Sequence, residues 1–155
     1  MPDYYIRKAR VQDVKAIHGL LLECFKQGLV LPRSYNELYN HLRDVFVVVP
    51  PDKGPVVGCG ALSITWEDLA EVRSLVVTES LRRKGWGQKL VEACLSEAVT
   101  LGIYRVFALT YQTTFFSRQG FVEVSKDTLP QKVWTDCVRC PKFPECDETA
   151  MLIEM

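Results

Sequence analysis

The segment Glu71–Gly87, EVRSLVVTESLRRKGWG, constrains this chain more than any other. Its first half is rich in β-branched and apolar residues and reads as a strand. Arg82, Arg83 and Lys84 then place three cations side by side, and Gly85 and Gly87 flank Trp86. Behind them Leu90, Val91, Cys94, Leu95 and Ala98 recur at helical spacing, which predicts an amphipathic helix over 85–101. A strand that enters a helix through a basic, glycine-containing turn leaves the first helical amides unpaired and facing outward. Their partial positive charge attracts anions, and glycine lets a phosphate approach the backbone. An ordinary helix entry beside a solvated charge run would explain each feature singly. Together, and in this order, they predict a phosphate site formed by Arg82, Arg83, Lys84, Gly85, Trp86, Gly87 and Gln88.

Two nucleotide-binding patterns fail on these residues. The P-loop needs Lys-Ser/Thr after its last glycine, whereas Gln88 and Lys89 follow Gly87. A dinucleotide turn needs a third glycine where Leu90 stands and an acid about twenty residues on, where the chain has Arg105.

The remaining pattern predicts a mixed α/β domain. Residues 4–8 read as a strand, and Val11, Val14, Ile17, Leu20, Leu21, Cys24 and Phe25 form a helical stripe that Gly28 stops. Ser34 with Glu37 is a capping-box pattern for a second helix ending near Arg43. Val45–Val49 and Val56–Trp66 flank a proline- and glycine-rich turn as a hairpin, and Leu69–Val77 is a fourth strand. Strands at 104–109, 121–124 and 151–154 and a short helix at 113–119 complete the order. Residues 126–149 interrupt it with a proline- and cysteine-containing loop.

At 155 residues the chain suits one domain, 1–155, with a core that needs no metal or disulfide. Nineteen basic and nineteen acidic side chains cancel, which argues against a nucleic-acid partner. With neither an export signal nor a membrane-length apolar run, the expected location is cytoplasmic, without a membrane partner. Cys24, Cys59 and Cys94 lie in apolar-patterned segments and read as buried small hydrophobes, and His18 and His41 as structural or exposed.

Arg82-Arg83-Lys84-Gly85-Trp86-Gly87 resembles the Arg/Gln-x-x-Gly-x-Gly/Ala pyrophosphate loop of the GNAT acetyltransferases, and Phe115-Phe116-Ser117-Arg118-Gln119-Gly120-Phe121 resembles the short helix and Gly-Phe turn that follow their fifth strand. The resemblance spans roughly residues 4–125 and the closing strand. It implies the GNAT fold, an α/β (more strictly α+β) domain with a mixed sheet of six to seven strands and about four helices. It also implies acetyl-CoA as cosubstrate, its pantothenate arm held between splayed fourth and fifth strands by the backbone of Leu75, Val76 and Val77, near Phe116. Glu71 falls where related enzymes carry a catalytic base. Strand alternation would place Glu71, Arg73 and Leu75 on one face. Many members have a tyrosine acid where this chain has Phe116. The thiolate either leaves unprotonated or takes its proton from a nearby hydroxyl, Tyr111 or Ser117.

The segments Leu31-Pro32-Arg33-Ser34, Glu71–Leu75 and Leu129-Pro130-x-Lys132-Val133-Trp134 with the following cysteines resemble the short-form bacterial N-acetylglutamate synthases. That resemblance implies acetylation of glutamate, the first step toward arginine, with Arg33, Arg73 and Lys132 as candidate partners for a dicarboxylate. Transfer to another amino acid, small amine or protein amine remains the alternative, as does an acyl-CoA-binding regulatory module without turnover. Cys137, Cys140 and Cys146 either hold zinc, with Asp147, Glu148 or a distant cysteine as fourth ligand, or pack or cross-link the loop locally. Homodimerisation is open.

Overall fold

The computed structural model describes residues 3–26, 33–129 and 148–155. Lys132, Cys137, Cys140 and Cys146 lie outside the described residues, and so does the choice between zinc and local packing. The element order is β1 (Tyr5–Lys8), α1 (Val14–Lys26), α2 (Tyr35–Asn40), β2 (Val45–Val49), β3 (Gly58–Trp66), β4 (Leu69–Val77), α3 (Trp86–Thr100), β5 (Arg105–Thr110), α4 (Thr113–Arg118), β6 (Val122–Val124) and β7 (Thr149–Glu154). The strands form one mixed sheet in the order β1-β2-β3-β4-β5-β7-β6. Of its neighbouring pairs, β4 and β5 alone run parallel, joined by a crossover that contains α3.

Helical periodicity and strand alternation build two cores, one on each face of the sheet. Val14, Ile17, Leu21 and Cys24 of α1 and Leu38 of α2 pack on Val47, Cys59, Ala61 and Val76. On the other face, Val91, Cys94 and Ala98 of α3 meet Leu62, Ala70, Val72, Val106 and Ala108. A ligand cleft can then open only at the sheet's edge or where strands separate, since both faces are covered.

The entry to α1 is pinned by an ion pair. Arg7 Nη1 and Nη2 donate to Asp13 Oδ2 and Oδ1 at 2.7 and 3.0 Å, and the Arg10 amide donates to Oδ2 at 2.7 Å. Burial alone would raise the Asp13 pKa. The Arg7 bonds and the Arg10 amide outweigh it and hold the carboxyl below its usual range.

The second helix is shorter than its pattern predicts. The Ser34–Glu37 capping box forms, but α2 ends at Asn40, because His41 leaves the helical region (φ −112°, ψ 21°) and a 3-10 turn over Leu42–Asp44 redirects the chain into β2. Asn and His are weak helix formers, and the tight turn competes successfully there.

Two features of β4 shape the site. First, it pairs with β5 only at Ala70–Val106 and Glu71–Phe107, so the strands part beyond Glu71. Second, it carries a bulge. Cys59 faces Val76 and Ala61 faces Arg73, leaving Gly60 opposite both Ser74 and Leu75. Ser74 accordingly has φ +55°, uncommon for a residue with a Cβ, and its carbonyl accepts the Cys59 thiol at 3.3 Å. Burial pushes the Cys59 pKa up to about 12, which keeps the donor protonated. The extra residue reverses the side-chain parity. Leu75 packs with the α3-side core instead of sharing a face with Glu71 and Arg73, as strict alternation predicts. Gly60 makes room for it, since a Cβ there would lie 3.0 Å from Leu75 Cδ1.

Candidate active site

The turn between β4 and α3 has the geometry of an anion site. Gly85 caps α3 at φ +88°, and Arg83 is left-handed at φ +66°, so the chain turns sharply into the helix. No side chain caps the first turn of α3, which leaves its amides available to a ligand. Arg82 is directed inward. Its Nε donates to the Val77 carbonyl at 3.0 Å and its Nη2 lies 3.9 Å from Cys24 Sγ, tying the turn back to β4 and α1. Burial raises the Cys24 pKa, and the Arg82 guanidinium partly offsets this. Lys89 sits over the Trp86 ring, 4.3 Å from its centroid, and Trp86 packs edge-on against Tyr4.

Beside the turn a cleft of about 800 Å³ is lined by Leu75, Val76 and Val77 on one wall, Gly85, Gly87 and Gln88 at the helix entry, and α4 opposite. Arg82, Arg83 and Arg118 line it, and no acidic residue does so among the described residues. Of the expected phosphate-site residues, Arg82, Arg83, Gly85, Gly87 and Gln88 reach the cleft, whereas the side chains of Lys84 and Trp86 do not line it.

Phe116 differs from expectation. It is buried in the α3-side core, edge-on to Phe121 with ring centroids 5.1 Å apart, and it does not line the cleft. The lining aromatic is its neighbour Phe115, whose ring would stand 3.3 Å from a Cβ at Gly87. The helical repeat explains the exchange. Thr114, Phe115, Arg118 and Gln119 share one face of α4, turned to the cleft, and Phe116 points to the opposite side. That three-and-four spacing was available in the sequence, but a six-residue helix carries too few turns to show which face is the wet one.

Glu71 and Arg73 lie outside that cleft, at the point where β4 and β5 part, on the face opposite Ala70 and Val72. Both are largely buried, with side chains 16% and 20% exposed, and Arg73 Nη1 is 4.0 Å from Glu71 Oε1. Ser63 on β3 accepts from Arg73 Nη1 at 3.2 Å. Arg33 stands at the entry to α2 with its Nη1 3.5 Å from Glu37 Oε2, its side chain only 14% exposed. Tyr111 follows β5 and also lies outside the cleft lining. Among the described residues, no group of three or more His, Cys, Asp or Glu side chains could hold a metal ion, and no helix is long and apolar enough to cross a membrane.

A parted parallel strand pair, a basic glycine turn at a helix entry and a cleft between them that no acidic side chain lines among the described residues are, with the family match, those of an acetyl-CoA-dependent N-acetyltransferase. The chain belongs to the acetyltransferase (GNAT) family, whose model matches residues 14–121. An uncharacterized N-acetyltransferase of Chlorobaculum tepidum is 41% identical over 97% of this chain and 96% of its own length. An amino-acid acetyltransferase of Mycobacterium tuberculosis is 36% identical over 86% of this chain and 77% of its own. The N-acetylglutamate synthase of Neisseria gonorrhoeae, solved with coenzyme A and N-acetyl-glutamate, superposes with a TM-score of 0.86 at 27% identity; the match covers 99% of this chain and 35% of that one. The residues fit coenzyme A: free helix-entry amides and arginines suit its phosphates, and the unpaired edge of β4 suits the amides of its pantetheine arm.

Proposed function

We propose that this protein transfers the acetyl group of acetyl-CoA to the α-amine of L-glutamate by direct attack in a ternary complex, the first step toward arginine. The observation that carries this reading is the pairing of Glu71 with Arg73, 4.0 Å apart and mostly buried where β4 and β5 part. A carboxylate base beside a guanidinium suits an acceptor that presents an ammonium and carboxylates. The relatives named amino-acid acetyltransferase, and the N-acetyl-glutamate bound in the gonococcal structure, support the same acceptor.

Acetyl-CoA supplies an activated acyl group as a thioester. Glu71 takes the proton that the attacking amine must lose, directly or through water. The new bond joins the amine nitrogen to the acyl carbon, and the carbon–sulfur bond breaks. Arg73, held by Ser63, receives an acceptor carboxylate, and Arg33 and Lys132 are further candidates for the second. The backbone of Leu75, Val76 and Val77 aligns the pantetheine arm, and the 82–88 turn holds the diphosphate. Tyr111 is the candidate donor for the leaving thiolate. With a thiol pKa near 8.5, that group departs tolerably without one.

The phenylalanine at 116, where many members carry a tyrosine acid, favours a second reading, an acyl-CoA-binding module without turnover. Thiol release measured with purified protein, acetyl-CoA and a panel of amines separates the two. Release that depends on glutamate above the other amines is expected. Release dependent on a different amine would reassign the acceptor, and none with any amine would favour the module.

A further inference from the structure

The cleft holds more positive charge than one diphosphate-binding turn requires, and the excess comes from a separate element. The chain as a whole is neutral, yet three arginines and no acid line the cleft among the described residues. Arg82 is committed to the Val77 carbonyl. Arg83 belongs to the turn itself. Arg118 stands at the end of α4, exposed, and no hydrogen bond or ion pair engages it among the described residues. An unpaired guanidinium on a cleft wall presents a planar fork of donors suited to a phosphate's oxygens.

Coenzyme A carries a second anionic group besides its diphosphate, the 3′-phosphate of its ribose. If the pantetheine arm follows β4 and the diphosphate meets the α3 entry, the nucleoside end has to continue along the remaining wall. That wall is α4. Phe115 lies against Gly87 at the first turn of α3, and Arg118 and Gln119 are the next residues on the same face. We infer that Arg118 is a specificity-determining residue that binds the 3′-phosphate, so that α4 distinguishes coenzyme A from its 3′-dephosphorylated form. The inference rests on the reading that this cleft is the cofactor site. It assigns the two anionic groups to different elements, the diphosphate to the β4–α3 turn with Arg83 and the 3′-phosphate to α4.

The test is calorimetric titration of the full-length protein with coenzyme A and with dephospho-coenzyme A, for the wild type and for Arg118→Ala, Arg118→Lys and Arg83→Ala. The wild type is expected to bind coenzyme A at least about ten-fold more tightly than the dephospho form. Arg118→Ala should reduce that ratio toward one by weakening coenzyme A alone, and Arg118→Lys should restore part of it. Arg83→Ala should weaken both ligands by a similar factor. A wild-type ratio of one, or an Arg118→Ala ratio equal to the wild type's, would overturn the assignment while leaving the cofactor site intact. Failure of the wild type to bind either ligand would overturn both.

Discussion

Glu71 and Arg73 lie two residues apart on one face of β4, and their proposed roles separate kinetically. Glu71→Gln keeps the shape and removes the base, so kcat should fall by roughly 10²–10⁴-fold with little change in acetyl-CoA affinity. Unaltered turnover across pH would sink its role. Arg73→Ala should raise the KM for glutamate by about ten-fold or more, and the KM for acetyl-CoA far less; equal effects would remove it from the acceptor site. The Asp13 pair makes a stability prediction instead. Because the folded pKa lies below the unfolded value, its contribution is present above about pH 4 and is lost as pH falls through the lower, folded value. Asp13→Asn should therefore cost about 2 kcal/mol at neutral pH and flatten the acid limb of a denaturant-midpoint-against-pH curve. The Arg7–Asp13 pair is absent from any local sequence pattern, since it joins β1 to the start of α1 through a contact only the packed fold creates.

The elements were legible where period and punctuation agreed. The β4–turn–α3 unit follows from strand composition, two glycines and an apolar stripe, and the structure forms it with α3 over Trp86–Thr100. The bulge at Ser74 was not legible. Val72-Arg73-Ser74-Leu75-Val76 breaks alternation with two polar residues in succession, a pattern that a regular half-exposed strand shows as well, and the room for the extra residue comes from Gly60 opposite, which has no side chain to collide with Leu75. The orientation of α4 escaped for a related reason, as Phe115 and Phe116 are equivalent until the α3-side core claims one of them. These placements set the prediction for Gly87. Its missing Cβ lets the Phe115 ring close against α3, so Gly87→Val should displace that ring into the cleft and weaken coenzyme A binding roughly ten-fold. Calorimetry alongside an unchanged far-ultraviolet spectrum would check it, and wild-type affinity would show that the ring has room to move elsewhere.

Across the whole molecule, the sheet is continuous in name but divided in practice, because β4 and β5 share only two paired positions. A ligand laid along that seam adds contacts to both halves and binds only the folded chain. Coenzyme A at a hundred times its Kd should therefore add about 2.7 kcal/mol to unfolding. Thermal denaturation followed with and without it should show a clear rise in Tm, and an unchanged Tm at saturation would contradict a site on the seam. The overall architecture was readable because α1 and α3 each bury a helical stripe and the central strands bury apolar runs, whereas the 130–147 stretch has no period to read. The Ser74 bulge also has an implication for how such a domain diversifies. By reversing which way side chains point, it makes residues 69–73 and 75–77 of a single strand answer to different surroundings, so under the proposed roles new acceptor preferences can be grafted onto the former while the latter keep their hold on the acyl carrier.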